Sequence, residues 1–238
     1  MKKLILLGSL LLAFSAVQAQ VWLNQGQSGA TLRTGIHENS GGYGYQVDLQ
    51  YAFKGRLDLG VGFLQSFHPT DRLPANETPL GDLTEYGGTL WVEYWLIRSQ
   101  SASGVEANAG LWLGTYQFAY RDYLLKNTLT GVLRKTTANS EYALGADFSL
   151  VYPLNSKWSL QPYIWFAYLL GVESYQLNTS DQQDSYHGSE GSVGVVLKKT
   201  FKRGQSGFVQ LEQCLNDTQA EQAATFTLRI GYSLPGRE

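Results

Sequence analysis

Three histidines, His37, His68 and His187, are the only imidazoles in the chain. A neutral imidazole beside a carboxylate activates a water or a hydroxyl, or holds a divalent metal. His187 has Asp181, Asp184 and Glu190 close by in sequence, with Ser185 and Ser189 as candidate nucleophiles. No paired-carboxylate motif accompanies them, and His187-Gly188-Ser189 alone does not specify a hydrolase. These histidines define a candidate rim site. No residue is assigned a catalytic or metal-binding role, and no cofactor is expected. A second set of reactive side chains is spread along the chain: Arg33, Asp48, Asp58, Glu93, Asp147, Lys198, Glu212 and Arg229. They sit among alternating apolar residues, so their chemistry depends on which side of a strand they occupy.

The dominant hydropathy period is two. Tyr43, Tyr45, Val47, Leu49, Tyr51 and Phe53 alternate with Gly44, Gln46, Asp48 and Gln50. After the turn Lys54-Gly55-Arg56, the stripe resumes with Leu57, Leu59, Val61 and Phe63. Two alternating runs joined by a short glycine-containing turn form a hairpin. The pattern recurs in Leu90-Val92-Tyr94, Leu144-Ala146-Phe148, Ile164-Phe166-Tyr168, Val193-Val195-Leu197 and Leu228-Ile230-Tyr232. It predicts about ten strands, roughly 28–38, 43–53, 57–68, 84–97, 105–120, 140–153, 158–172, 188–201, 207–216 and 224–234. In the fifth, two apolar phases compete, and a bulge near Gly114 would reconcile them. Connections alternate between short turns and longer loops, the latter near 69–83, 121–139, 173–187 and 217–223.

Runs of about 9–11 residues suit a tilted membrane strand, whereas a membrane helix needs roughly 20. Lipid offers backbone groups no hydrogen bonds, so such strands must close on themselves. The expected fold is therefore all-β, a closed antiparallel up-and-down transmembrane barrel. Tyr43, Val47, Leu49, Leu59, Val61, Leu144, Phe148, Ile164, Val195, Leu228 and Ile230 are expected to face lipid. Arg33, Asp48, Asp58, Glu93, Asp147, Glu212 and Arg229 would form a polar network in the lumen. Trp91, Trp95, Tyr163, Trp165 and Cys214 fall on the same inward phase, so the lumen is expected to be plugged or narrow. A soluble barrel turned the other way, with the apolar phase inside and a bound ligand, remains the alternative.

Aromatic placement favours the membrane. Tyr51, Phe53, Tyr94, Tyr152, Trp158, Phe201 and Tyr232 fall toward the short turns. Tyr43, Tyr45, Phe67, Tyr86, Tyr142, Phe166, Tyr168 and Phe226 fall toward the long loops. Two aromatic girdles flanking an aliphatic band match the two interfaces of a bilayer. Charge sorts along the same axis, basic at the turns and more acidic in the loops. The formal net charge of −2 argues against a nucleic-acid partner.

Met1-Lys2-Lys3, the apolar stretch Leu4–Val17 and the small-residue site Val17-Gln18-Ala19 read as a secretory signal peptide. Residues 1–19 are expected to be cleaved, leaving 20–238 as a single barrel domain. Gln20, not a cysteine, stands directly after the cleavage point, which argues against a lipoprotein, and one cysteine allows no internal disulfide.

On these stripes, the signal segment and the final alternating run Phe226–Leu234, the chain resembles the small bacterial outer-membrane β-barrel proteins, the OmpA-like group of unadorned barrels. It departs from them by ending in Pro235-Gly236-Arg237-Glu238. The resemblance implies a location in the bacterial outer membrane. Its partners would be outer-membrane lipid and lipopolysaccharide, bridged at acidic loops by Ca²⁺ or Mg²⁺, and the outer-membrane assembly machinery. The expected role is structural, surface-interacting or narrowly permeating. A rim protease or lipid-modifying hydrolase built on His37, His68 and His187 is the alternative.

Overall fold

The computed structural model describes residue 23 and residues 26–39, 42–67, 76–81, 83–101, 104–121, 124–217 and 226–236. The segment 1–19 and His68 lie outside the described residues. The strands are β1 (Gly29–Asn39), β2 (Gly42–Phe53), β3 (Leu57–Phe67), β4 (Glu77–Pro79), β5 (Thr84–Gln100) and β6 (Glu106–Arg121). They continue with β7 (Leu124–Asn127), β8 (Leu133–Pro153), β9 (Trp158–Leu177), β10 (Ser180–Thr200), β11 (Ser206–Asp217) and β12 (Phe226–Pro235).

A strand in lipid is stable only when both of its edges are paired. All strands except the short β4 and β7 form a closed 10-strand antiparallel barrel in which each strand pairs with the next. β8 pairs with β9, and β12 returns to β1 from Gly29↔Pro235 to Glu38↔Phe226. The expected closed all-β barrel is thus the observed fold.

The two-residue period decides which way each wall residue points. Leu32, Val47, Leu59, Leu113, Leu144, Phe148 and Ile230 are each 42–57% exposed on the outer surface. Between them, Arg33, Asp48, Asp58, Glu93 and Asp147 are at most 3% exposed and face the interior. A belt of large apolar side chains this extensive is untenable in water and natural in lipid. It is the reverse of a soluble ligand-binding barrel, so that alternative is corrected. Aromatic pairs bracket the belt. Tyr51 with Phe53 (4.7 Å) and Phe201 with Tyr232 (6.2 Å) lie at the turn end. Tyr43 and Tyr45 pack against Phe67 at the loop end, at 5.4 and 6.2 Å.

Two expectations are corrected. The bulge lies in β5, where the register steps from Trp95↔Gly110 to Ile97↔Ala109, and both Leu96 and Ile97 face outward. At Gly114 the register runs unbroken against Trp91 and Ala143. β6 keeps one phase, Leu111 and Leu113 outward and Trp112 inward. The second apolar phase belongs to the inner wall, where Tyr116 stacks on Phe118 at 5.3 Å.

The second correction concerns the loops. Segments 121–139 and 173–187, expected to be long loops, are largely strand. β9 and β10 continue past the girdle and turn at Asn178 (φ 53°) and Thr179, pairing to the last rung Ser180↔Leu177. β8 pairs with β9 up to Arg134↔Leu177, β7 pairs with β8, and β4 pairs with β7. The result is a sheet ordered β4-β7-β8-β9-β10 standing on the loop end of the barrel. Its strands carry polar residues on both faces (Glu173, Ser174 and Gln176 opposite Asp181, Gln183 and Asp184), so the period-two hydropathy signal vanishes while backbone pairing persists.

Candidate functional site: the lumen and the protruding sheet

Cross-strand register builds the lumen. Arg33 on β1 stands directly opposite Asp48 on β2, with Nε 3.4 Å from Oδ2 and both side chains 1% exposed. Gln46 Nε2 donates to both Asp48 oxygens, at 2.9 and 3.1 Å. Its Oε1 accepts from Arg229 at 2.7 Å. Arg229 lies 3.6 Å from Glu212 Oε2, which also accepts from the Tyr163 hydroxyl at 2.5 Å. Gln210 donates to that hydroxyl at 2.9 Å. The chain of contacts spans the interior from β1 to β9, with two arginines balancing two carboxylates. Buried charges persist only when paired and hydrogen-bonded in this way.

Asp58 forms a second group, its Oδ2 accepting from Gln50 (2.8 Å) and from the Trp95 indole (3.0 Å). Glu93 and Asp147 meet over Gly110. A Cβ at that position would stand 2.9 Å from Asp147 Oδ1 and 3.1 Å from Glu93 Oε1.

The remaining lumen space is filled by rings lying across glycines on the neighbouring strand. Trp91 faces Gly60, Trp112 faces Gly145, Tyr163 faces Gly194 and Phe208 faces Gly231, each as a register pair. A Cβ at any of these glycines would approach the ring to 2.0–2.3 Å. Trp91, Trp112, Tyr163, Trp165, Val196 and Phe208 make one buried cluster inside the barrel. Such an interior supplies rigidity and leaves little room for a solute.

Of the three rim histidines, the two described ones do not converge. His37 points inward, its Nε2 hydrogen-bonded to Ser66 Oγ at 2.9 Å. His187 is exposed on the outer face and stacks on Tyr168 at 6.2 Å. Asp184 accepts from the Tyr175 hydroxyl and Asp181 from Gln176 Nε2, each at 2.7 Å, so both carboxylates are engaged on the hairpin. The bond to Asp184 raises the Tyr175 phenol above its ordinary value by favouring the protonated form. Among the described residues, no group of three or more His, Cys, Asp and Glu side chains is arranged to hold a metal.

The protruding sheet is tied by side chains that hydropathy does not flag. Arg134 pairs with Glu173 at 2.7 Å and covers the Tyr175 ring at 4.4 Å. The Tyr186 hydroxyl sits between Asn139 Oδ1 (2.7 Å) and Glu141 Oε1 (2.5 Å). At the tip, Asn178 bonds Leu133 twice, its N–H to the carbonyl (2.7 Å) and its Oδ1 to the amide (3.1 Å). Gln46 and Gln210, equally central in the lumen, were findable. Each lies on the inward phase two residues before a carboxylate, Asp48 and Glu212.

Several solved structures are similar in outline. The beta domain of the Bordetella autotransporter BrkA is 15% identical, covering 88% of this chain and 99% of that one with a TM-score of 0.47. An outer membrane channel from Pseudomonas putida F1 is 14% identical over 93% and 100% of the two chains, with a TM-score of 0.40. The outer membrane protease OmpT from Escherichia coli is 8% identical over 88% and 92%, with a TM-score of 0.42. No family model and no curated protein matches the sequence. At these identities the likeness concerns architecture and assigns no activity. The apolar belt, the two girdles and the closed strand order of this chain are those of a transmembrane β-barrel.

Proposed function

We propose that this protein is a surface-interaction barrel: a rigid, filled barrel that holds a β-sheet above the outer membrane for contact with other molecules. The observation that carries this reading is the continuation of β8, β9 and β10 beyond the girdle into a sheet with β4 and β7. At ~3.3 Å per residue, the β9–β10 hairpin beyond Tyr168 amounts to about 30 Å of strand, before tilt. A filled lumen weighs against permeation as the main role. In this reading residues 1–19 direct export, the assembly machinery inserts the barrel with Phe226–Pro235 as its final strand, and lipid and lipopolysaccharide surround the belt. His37 and His187 occupy opposite faces of the wall and share no site, which weighs against a rim hydrolase built on both.

The test is surface labelling of intact cells. In a Cys214→Ser background, Gln182→Cys should react with a membrane-impermeant maleimide before lysis. Reaction only after the outer membrane is broken would overturn the proposed orientation.

A further inference from the structure

Two edges of the protruding sheet end without a neighbouring strand among the described residues. They differ in kind. β4 is 3 residues long and ends in Pro79, beside Lys126 of β7. Short length, proline and lysine are the means by which a sheet edge is kept from pairing. β10 is the other case. It pairs with β9 from Ser180 onward, and the last described rung of its pairing with β11 is Glu190↔Asp217. From Ser180 to His187 the outer edge of β10 faces no described strand. That stretch contains no proline, lysine, arginine or glycine, and its first register irregularity comes later, between Gly191 and Ser192. Its only formal charges are the carboxylates of Asp181 and Asp184, which repel an acidic strand and leave the edge open to a basic one.

We propose that this edge of β10 takes up an extended basic peptide segment of a partner protein as an added strand. The inference rests on the surface-interaction reading and supplies its partner chemistry. Main-chain hydrogen bonding to an exposed edge gives affinity without requiring a pocket. In a hairpin closed by a two-residue turn, alternate residues bond inward and outward. Ser180 closes the turn with Leu177, so Asp181, Gln183, Ser185 and His187 direct their backbone groups away from β9. The edge is already rigid. The tip is anchored at Leu133, Arg134 clamps Glu173 and Tyr175, and Tyr186 reaches Asn139 and Glu141. A preordered edge spares the partner part of the ordering cost of binding.

Charge selects the occupant. Residues 173–187 include Glu173, Asp181 and Asp184 and no lysine or arginine. Asp181 and Asp184 are exposed, while Glu173 is already paired with Arg134. A second copy of β10 would bring acid against acid, which disfavours that pairing. A segment alternating lysine or arginine with β-formers complements the edge.

The test uses the full barrel in detergent micelles and three fluorescent decapeptides: a Lys-Thr repeat, a Glu-Thr repeat, and the Lys-Thr repeat with a central proline. The Lys-Thr peptide should bind at least tenfold more tightly than either of the others. Ser185→Pro, which removes one outward N–H, should abolish binding, while Ser185→Ala should leave it within twofold. Hydrogen exchange offers a readout that needs no variant: the amides of residues 181, 183, 185 and 187 should gain protection with the Lys-Thr peptide. Binding that survives both the proline peptide and Ser185→Pro would mean charge attraction alone and overturn strand addition. Dimerisation of the barrel that Ser185→Pro abolishes would assign the edge to a second copy and also overturn the proposal. Either result leaves the surface reading intact if Gln182→Cys is labelled on intact cells. Failure of that labelling removes the surface reading itself.

Discussion

At the residue scale, Arg229 is the hinge of the lumen network, touching Gln46 and Glu212 at once. Replacing Arg229 with Met leaves the buried Glu212 carboxylate without its guanidinium partner. The expected loss is about 3–5 kcal/mol, the range for removing one partner of a buried pair, read from denaturant unfolding of the refolded barrel. Gly145 is the second sensitive position. A Cβ there would come within 2.2 Å of Trp112, so Gly145→Val must push the indole aside. Overpacking of this kind costs about 1–3 kcal/mol. The double variant Gly145→Val, Trp112→Leu should lose less than the sum of the two single changes, by the same unfolding measurement. The inward charges and rings were legible from phase alone. Their partners were not, because Arg33 meets Asp48 and Trp112 meets Gly145 through register, which depends on turn geometry that hydropathy does not encode.

At the element scale, strands were legible where two solvents differ across the wall. Lipid outside and a packed lumen inside force alternation, so β2, β3 and β12 lie within a residue or two of their expected bounds. Above the membrane both faces meet water, alternation has no cause, and the upper parts of β8, β9 and β10 read as loop. The same contrast gives a paired prediction. Leu144→Arg, in the lipid-facing belt, should cost about 2–4 kcal/mol near mid-depth. Gln176→Arg, on the protruding hairpin, should change stability by no more than about 0.5 kcal/mol. Equal costs in unfolding experiments would mean that the two positions share one environment. The candidate histidines illustrate the opposite failure. Their proximity to the rim was readable, yet His37 and His187 fall on opposite phases of their strands and so on opposite sides of the wall.

At the scale of the whole molecule, a closed wall, a filled interior and a raised sheet divide the work. In the proposed reading, the belt fixes the protein in lipid, the lumen makes it stiff, and the sheet presents backbone and side chains to other molecules. A filled interior predicts no discrete conductance steps when the purified barrel is added to planar bilayers. Steps of constant size that disappear in a variant with an enlarged Gly60 side chain would show an open path beside Trp91. The orientation of the wall underlies everything else, and β8 tests it most directly. Single cysteines from Tyr142 to Leu150 in a Cys214→Ser background would carry nitroxide labels in lipid vesicles, with accessibility to oxygen and to a water-soluble nickel complex measured at each. Labels at 144, 146, 148 and 150 should be reached by oxygen and not by nickel, and those at 143, 145, 147 and 149 by neither. Nickel access at the even positions, or a signal without two-residue alternation, would contradict a lipid-facing barrel.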